Sequence, residues 1–146
     1  PPAARTETAT ARAAPVPPPA AAAPVSLEGR LSAIPGFNLS DALRLTRRDM
    51  GLLSTLLKRF VGHYRAGLPD LLQACGQGDA AKVATHCHSL RGACLAIGAH
   101  ALADLVAGTE AQLRRGAPSA DLAHRAGEIQ AQLTVLVESL ARELEA

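Results

Sequence analysis

His88 and Arg91 stand three residues apart in THCHSLRGACLAIGA (residues 85–99), with Gly92 next and Gly98 beyond. On a helix, residues three and four apart share a face. A neutral imidazole offers an unprotonated ring nitrogen as a nucleophile. A guanidinium one turn on can neutralise phosphoryl oxygens, and a glycine beside it lets another protein come close. These types in this order suit phosphoryl transfer between an aspartyl phosphate and the His88 ring. That step needs in-line approach and charge neutralisation, and little else from the protein.

The other residues on the His88 face are Ala81, Ala84, Thr85 and Leu95. Most are small, so the ring should stand proud of a shallow surface. Ala84, Thr85 and Leu95 are the expected partner-binding residues. His86 points elsewhere, beside Lys82, Ser89 and Ala93, on what reads as an ordinary solvated face. His86-Cys87-His88 carries metal-ligating types, but successive helical residues diverge by about 100° and zinc needs converging ligands. Metal ligands are therefore expected to be none. Cys87 and Cys94 fall on the inward stripe and read as small buried hydrophobes. His63, His100 and His124 lack a supporting cluster and read as surface positions.

The second ring nitrogen of His88 needs an orienting partner. His88 precedes Gly98 by ten residues and Glu110 follows it by twelve, so a hairpin turning at Gly98 brings them to similar heights. Glu110 is the expected carboxylate to accept a hydrogen bond from the imidazole.

Several elements must hold this stretch. Residues 1–25 are mostly Pro, Ala, Thr and Arg, with few large apolar side chains, and are expected to form a flexible, disordered linker. The folded domain is expected over residues 26–146. Ser26 to Ile34 can form a short helix ended by Pro35-Gly36, and Asn38 can cap another through Leu45. Asp49 suits the start of the next helix. Leu53, Leu56, Leu57, Phe60, Tyr64, Leu68, Leu71 and Leu72 recur at three and four, which reads as one long amphipathic helix kinked or broken at Gly67 and Pro69. Asp79 caps a second, with Val83, Cys87, Leu90, Cys94 and Ile97 inward. The third spans Ala99 to Arg115, with Leu102, Leu105, Val106, Thr109 and Leu113 inward. Ser119 is the expected cap of the fourth, whose stripe is Leu122, Ala126, Ile129, Leu133, Leu136, Leu140 and Leu144. The expectation is an all-α, antiparallel up-down-up-down four-helix bundle preceded by one or two short helices.

Composition agrees. Of 146 residues 48% are hydrophobic and only 2% aromatic, and strong helix formers dominate. Net charge is +2 with scattered arginines, which argues against a nucleic-acid footprint. Three cysteines without a C-x-x-C pair point to a reducing compartment. No apolar run approaches the ~20 residues of a membrane span. The chain opens on Pro1-Pro2 without Met, as expected of a piece of a longer protein.

HSLRGACLAIGAHALADLVAGTE resembles the signature of histidine-containing phosphotransfer (HPt) domains, commonly H-x-L-K-G followed by a hydrophobic-Gly turn and a later acidic residue. The resemblance covers roughly residues 30 to 145. It places the phosphoacceptor at His88, the basic residue at Arg91, the close-approach glycine at Gly92, the turn glycine at Gly98 and the acidic residue at Glu110. IPGFNLSDALRL and LLKRFVGHY also resemble HPt modules at the C-terminal end of bacterial hybrid sensor histidine kinases. The family implies a two-component phosphorelay carrier that takes a phosphoryl group from a receiver-domain aspartate and passes it to a response regulator. It implies no ATP site and no cofactor of its own, with Mg²⁺ supplied by the receiver. It also implies a cytoplasmic module without direct membrane contact, in a parent kinase of a kind anchored in the inner membrane. Arg91 stands where Lys is usual, Leu95 where Gly is common and Ala96 where a polar residue is common. Two other readings of the residues are a non-catalytic helical adaptor that binds receivers or helices, and a metal-binding module through His86 and His88.

Overall fold

A computed structural model describes residues 26–145. The linker expected over residues 1–25 lies outside the described residues. All regular structure among the described residues is helical: α1 (Leu27–Ser32), α2 (Leu39–Leu45), α3 (Met50–Tyr64), α4 (Pro69–Gln77), α5 (Ala80–Ala96), α6 (His100–Arg114) and α7 (Ser119–Glu145). None of these helices is long and apolar enough to cross a membrane.

Side-chain caps set most helix starts. Ser26 accepts from Gly29 N, Asn38 from Asp41 N, Asp49 from Leu52 N and Asp79 from Lys82 N, each at 3.0–3.1 Å. The first long helix expected from the sequence is two helices. Gly67 turns the chain with φ of 85°, and Pro69 takes the first position of α4, where no N–H is needed. The amide left at Leu68 is met from afar: Gln130 on α7 accepts from Leu68 N at 2.7 Å. Ser119 is the first residue of α7 rather than its cap. The Pro118 carbonyl accepts from Asp121 N and Leu122 N, closing that turn without a side chain.

The inward stripes meet in one core. Val83, Cys87, Leu90, Cys94 and Ile97 are buried from α5 and its end, and Leu122, Ala126, Ile129, Leu133, Leu136 and Leu140 from α7. Leu72, expected inward, is exposed, and Val61 takes a core place instead. Burial of this kind of apolar surface stabilises a fold by ~25 cal/mol per Å². α7 packs on α1, α3, α4 and α6, while α5 lies between α4 and α6. With 27 residues, α7 runs about 40 Å and backs the whole bundle. α1 is tied to its far end, where the Arg30 guanidinium meets both the Glu143 carboxylate and its backbone carbonyl at 3.2 Å.

Close backbone packing holds the α5–α6 turn. Asn38 N donates to Gly98 O at 3.0 Å, and a Cβ on Gly98 would fall 2.7 Å from Asn38 O. Gly98 has φ of 79°, where an L side chain is strained. Beside it, His100 Nε2 and Asp41 Oδ2 are 2.6 Å apart. His100 is thus a structural tie and not the bare surface histidine expected. Between α2 and α3, Arg47 and Arg48 have φ of 53° and 62°, unusual for residues with side chains. Arg48 N donates to Leu43 O at 2.6 Å within this bend.

Gly98→Ala should lower the unfolding free energy by about 2 kcal/mol or more, since left-handed strain adds to contact with the Asn38 carbonyl; thermal or denaturant melting measures it. A pH dependence follows from the neighbouring tie. The His100 hydrogen bond holds the Asp41 carboxyl below its ordinary 3.8, with partial burial opposing and the Arg44 charge assisting. A depressed carboxyl stabilises the fold above its ordinary pKa and loses that contribution as pH falls through the folded value. Asp41→Asn should therefore melt lower than the parent at neutral pH, and the gap should close as pH drops below about 3.8.

Candidate functional site

α5 carries its chemistry on the side away from its buried stripe. Cys87 and Leu90 face inward, and the positions between them turn outward. His88 is exposed, and its ring makes no hydrogen bond among the described residues. Thr85 and Ala84 precede it on the same face and are also exposed. The Thr85 hydroxyl donates to Ala81 O at 3.0 Å, so it is satisfied by its own helix. Gly92 follows, and a Cβ built there meets nothing within 4 Å. One turn further, Leu95 leaves 41% of its surface in solvent, a large apolar side chain with no core role. An imidazole, a bare backbone stretch and an apolar side chain therefore share one open face.

Arg91 and Glu110 meet at the edge of that face. Arg91 Nη1 lies 3.6 Å from Glu110 Oε1 across the α5–α6 pair, the arginine side chain 43% exposed and the glutamate 13%. The hairpin through Gly98 brings Glu110 beside α5. Its carboxylate, however, is placed against Arg91, and no hydrogen bond joins it to the His88 ring. Glu110 is also close enough to Cys87 for its charge to oppose ionisation of that thiol.

The remaining candidates fall away from this face. His86 is half-buried in a groove of about 270 Å³ beside Tyr64, Pro69 and Ser89, rather than on a solvated face. His86 and His88 thus lie in different surroundings. Among the described residues no group of three or more His, Cys, Asp or Glu converges as metal ligands would. Burial pushes the Cys87 and Cys94 thiols up to about 12, so both are inert as nucleophiles at neutral pH. Sequence reasoning missed the groove of about 300 Å³ between α3 and α5, lined by Leu56, Phe60, Tyr64, Ala93 and Ala96. The near-continuous small residues on α5 opposite bulky α3 positions were its signal. It also missed the His100–Asp41 tie, which joins residues 59 apart and leaves no local pattern.

Comparison with known proteins gives one match. A family model described as Hpt domain matches residues 55–145, more than half of the chain. No curated protein and no solved structure matches.

The open space at Gly92 leads to an expectation about stability. Gly92→Ala should raise the unfolding free energy by roughly 0.5–1 kcal/mol, because a helix interior prefers Ala and nothing opposes the added methyl. A denaturant melt checks the sign.

Proposed function

This chain belongs to the Hpt domain family, and from that premise we propose that His88 is its phosphoacceptor. The family supports a histidine phosphotransfer role in phosphorelay signalling and interaction with receiver domains and response regulators. The single observation that carries the assignment to His88 is its exposure on α5 with Arg91 one turn on and open space over Gly92.

The transfer takes little from the chain itself. The ring nitrogen without hydrogen attacks the phosphorus of an aspartyl phosphate on a receiver domain. The P–O bond to the aspartyl carboxyl breaks and that carboxylate leaves as a P–N bond forms on His88. No proton need move, because the second ring nitrogen keeps its hydrogen. Arg91 supplies positive charge beside the incoming phosphoryl oxygens. Gly92, Ala84 and Thr85 keep the approach unobstructed, and Leu95 offers an apolar contact to the docked partner. The reverse step hands the group to the aspartate of a response regulator. Mg²⁺ would be held by the receiver's acidic residues, since the charged neighbours offered here are one arginine and one glutamate. The parent protein would then be a hybrid sensor histidine kinase, with this module carrying phosphate from its receiver.

Incubation with a phosphorylated receiver should transfer acid-labile label to the chain. His88→Gln should abolish uptake while circular dichroism and melting stay unchanged. Label that persists on His88→Gln would sink the assignment. Receiver binding by calorimetry without transfer to the parent chain would favour a non-catalytic adaptor.

A further inference from the structure

We infer that Glu110 acts on Arg91 rather than on the imidazole, and that this ion pair weakens the hold of Arg91 on a phosphoryl group at His88. The inference rests on His88 being the phosphoacceptor. Its observations are independent of that reading.

Glu110 is the more buried partner, with 13% of its side chain exposed. A carboxylate so placed needs a countercharge, because desolvation penalises an unpaired anion. Arg91 is the cation the described residues place against it. At 3.6 Å the contact is longer than a good hydrogen bond, so the pair is held by charge and the guanidinium is not locked. Arg91 remains 43% exposed and shares its helix face with His88 at i+3. It therefore stands between two claimants, a fixed carboxylate on α6 and a transient dianion on α5.

Phosphorylation of His88 brings that dianion within reach. If Arg91 turns to it, Glu110 is left nearly buried and unpaired. If Arg91 stays, the phosphoryl oxygens gain only part of the five-donor guanidinium. Either way Glu110 raises the free energy of the phosphorylated state relative to the same state without it. The effect suits a carrier: a group held loosely passes on readily. Glu110 is thus a positioning residue, and its influence runs through Arg91.

The ring-orienting alternative makes a different forecast. A Gln at position 110 can still accept from an imidazole N–H but cannot pair with a guanidinium by charge. The test uses the full chain and potassium phosphoramidate, which transfers its phosphoryl group to a ring nitrogen as its own P–N bond breaks and ammonia leaves. After removal of the donor, loss of phosphohistidine to water is followed by ³¹P NMR in the parent, Glu110→Gln, Arg91→Ala and the double variant. We expect phosphohistidine in Glu110→Gln to last about fivefold longer than in the parent, a size typical of coupling between neighbouring charges. Lifetime in Arg91→Ala should be shorter than in the parent, and adding Glu110→Gln to it should change nothing beyond about twofold. Circular dichroism should show all four chains folded. Equal lifetimes for the parent and Glu110→Gln overturn the inference alone, as does the same gain from Glu110→Gln with and without Arg91. If the parent chain takes no acid-labile label from the donor or from a phosphorylated receiver, the phosphoacceptor reading fails and the inference fails with it.

Discussion

The close approach of Asn38 to Gly98 fixes the geometry on which the rest depends. The α5–α6 connection is only Ile97, Gly98 and Ala99, and such a turn leaves two helices no freedom to slide. Its backbone is fully engaged: Ala99 N donates to Cys94 O at 2.9 Å, and Gly98 O accepts from Asn38 N at 3.0 Å. A side chain at Gly98 would push the α2 cap away from the turn. Because the turn is rigid, the register of α6 against α5 is set from that end. Three helical turns away, that register delivers Glu110 to Arg91. A contact on the N-terminal side of the fold thus helps set the register at which α6 presents Glu110 to α5.

The division of labour along α5 follows from the same constraint. At its C-terminal end the turn amides of Ile97, Gly98 and Ala99 are hydrogen-bonded, and Ile97, Gly98 and Ala99 are buried. Near its middle the outer face is exposed and nearly without partners. Rigid fixation at one end lets the other surface stay bare, because bundle stability does not depend on it. The inward stripe of Val83, Cys87, Leu90 and Cys94 is sufficient to seat the helix. The cysteines are useful there for their small size, and deep burial keeps their thiols protonated.

Much of this was legible in the sequence wherever the cause is local. Asn38 and Asp79 were readable as caps, and Asp49 as a helix-start carboxylate that proves to be one, because a cap is written within four residues. The inward stripes of α5 and α7 were readable because helical period is a local property. The break at Gly67 and Pro69 was also legible, although two helices replace the single kinked one. What escaped notice is long-range. Gln130 reaches Leu68 N across 62 residues, and Asp41 reaches His100 across 59. Ser119 shows the limit of a local rule: a good capping type was present, but the backbone carbonyl of Pro118 had the geometry. The same limit governs Glu110. Counting residues from Gly98 set Glu110 level with His88, yet the contact it makes is with the Arg91 guanidinium.

That last choice has a physical cause in the type of residue at position 91. A lysine ammonium is a compact, strongly hydrated point charge at the end of a flexible stem, and loses much hydration when drawn toward a largely buried carboxylate. A guanidinium is planar, weakly hydrated and spreads its charge over several donors, so it tolerates partial burial beside Glu110 while leaving N–H groups free on its other edge. Arg91 can therefore stay beside Glu110 while turning only part of its donors toward a second anion. The departure from the lysine usual in Hpt-like signatures and the pairing observed at 3.6 Å are then two sides of one property. An arginine at this place couples the charge on α6 to events on α5, and the exposed His88 ring, with no hydrogen bond of its own, is left to respond to whichever partner reaches it.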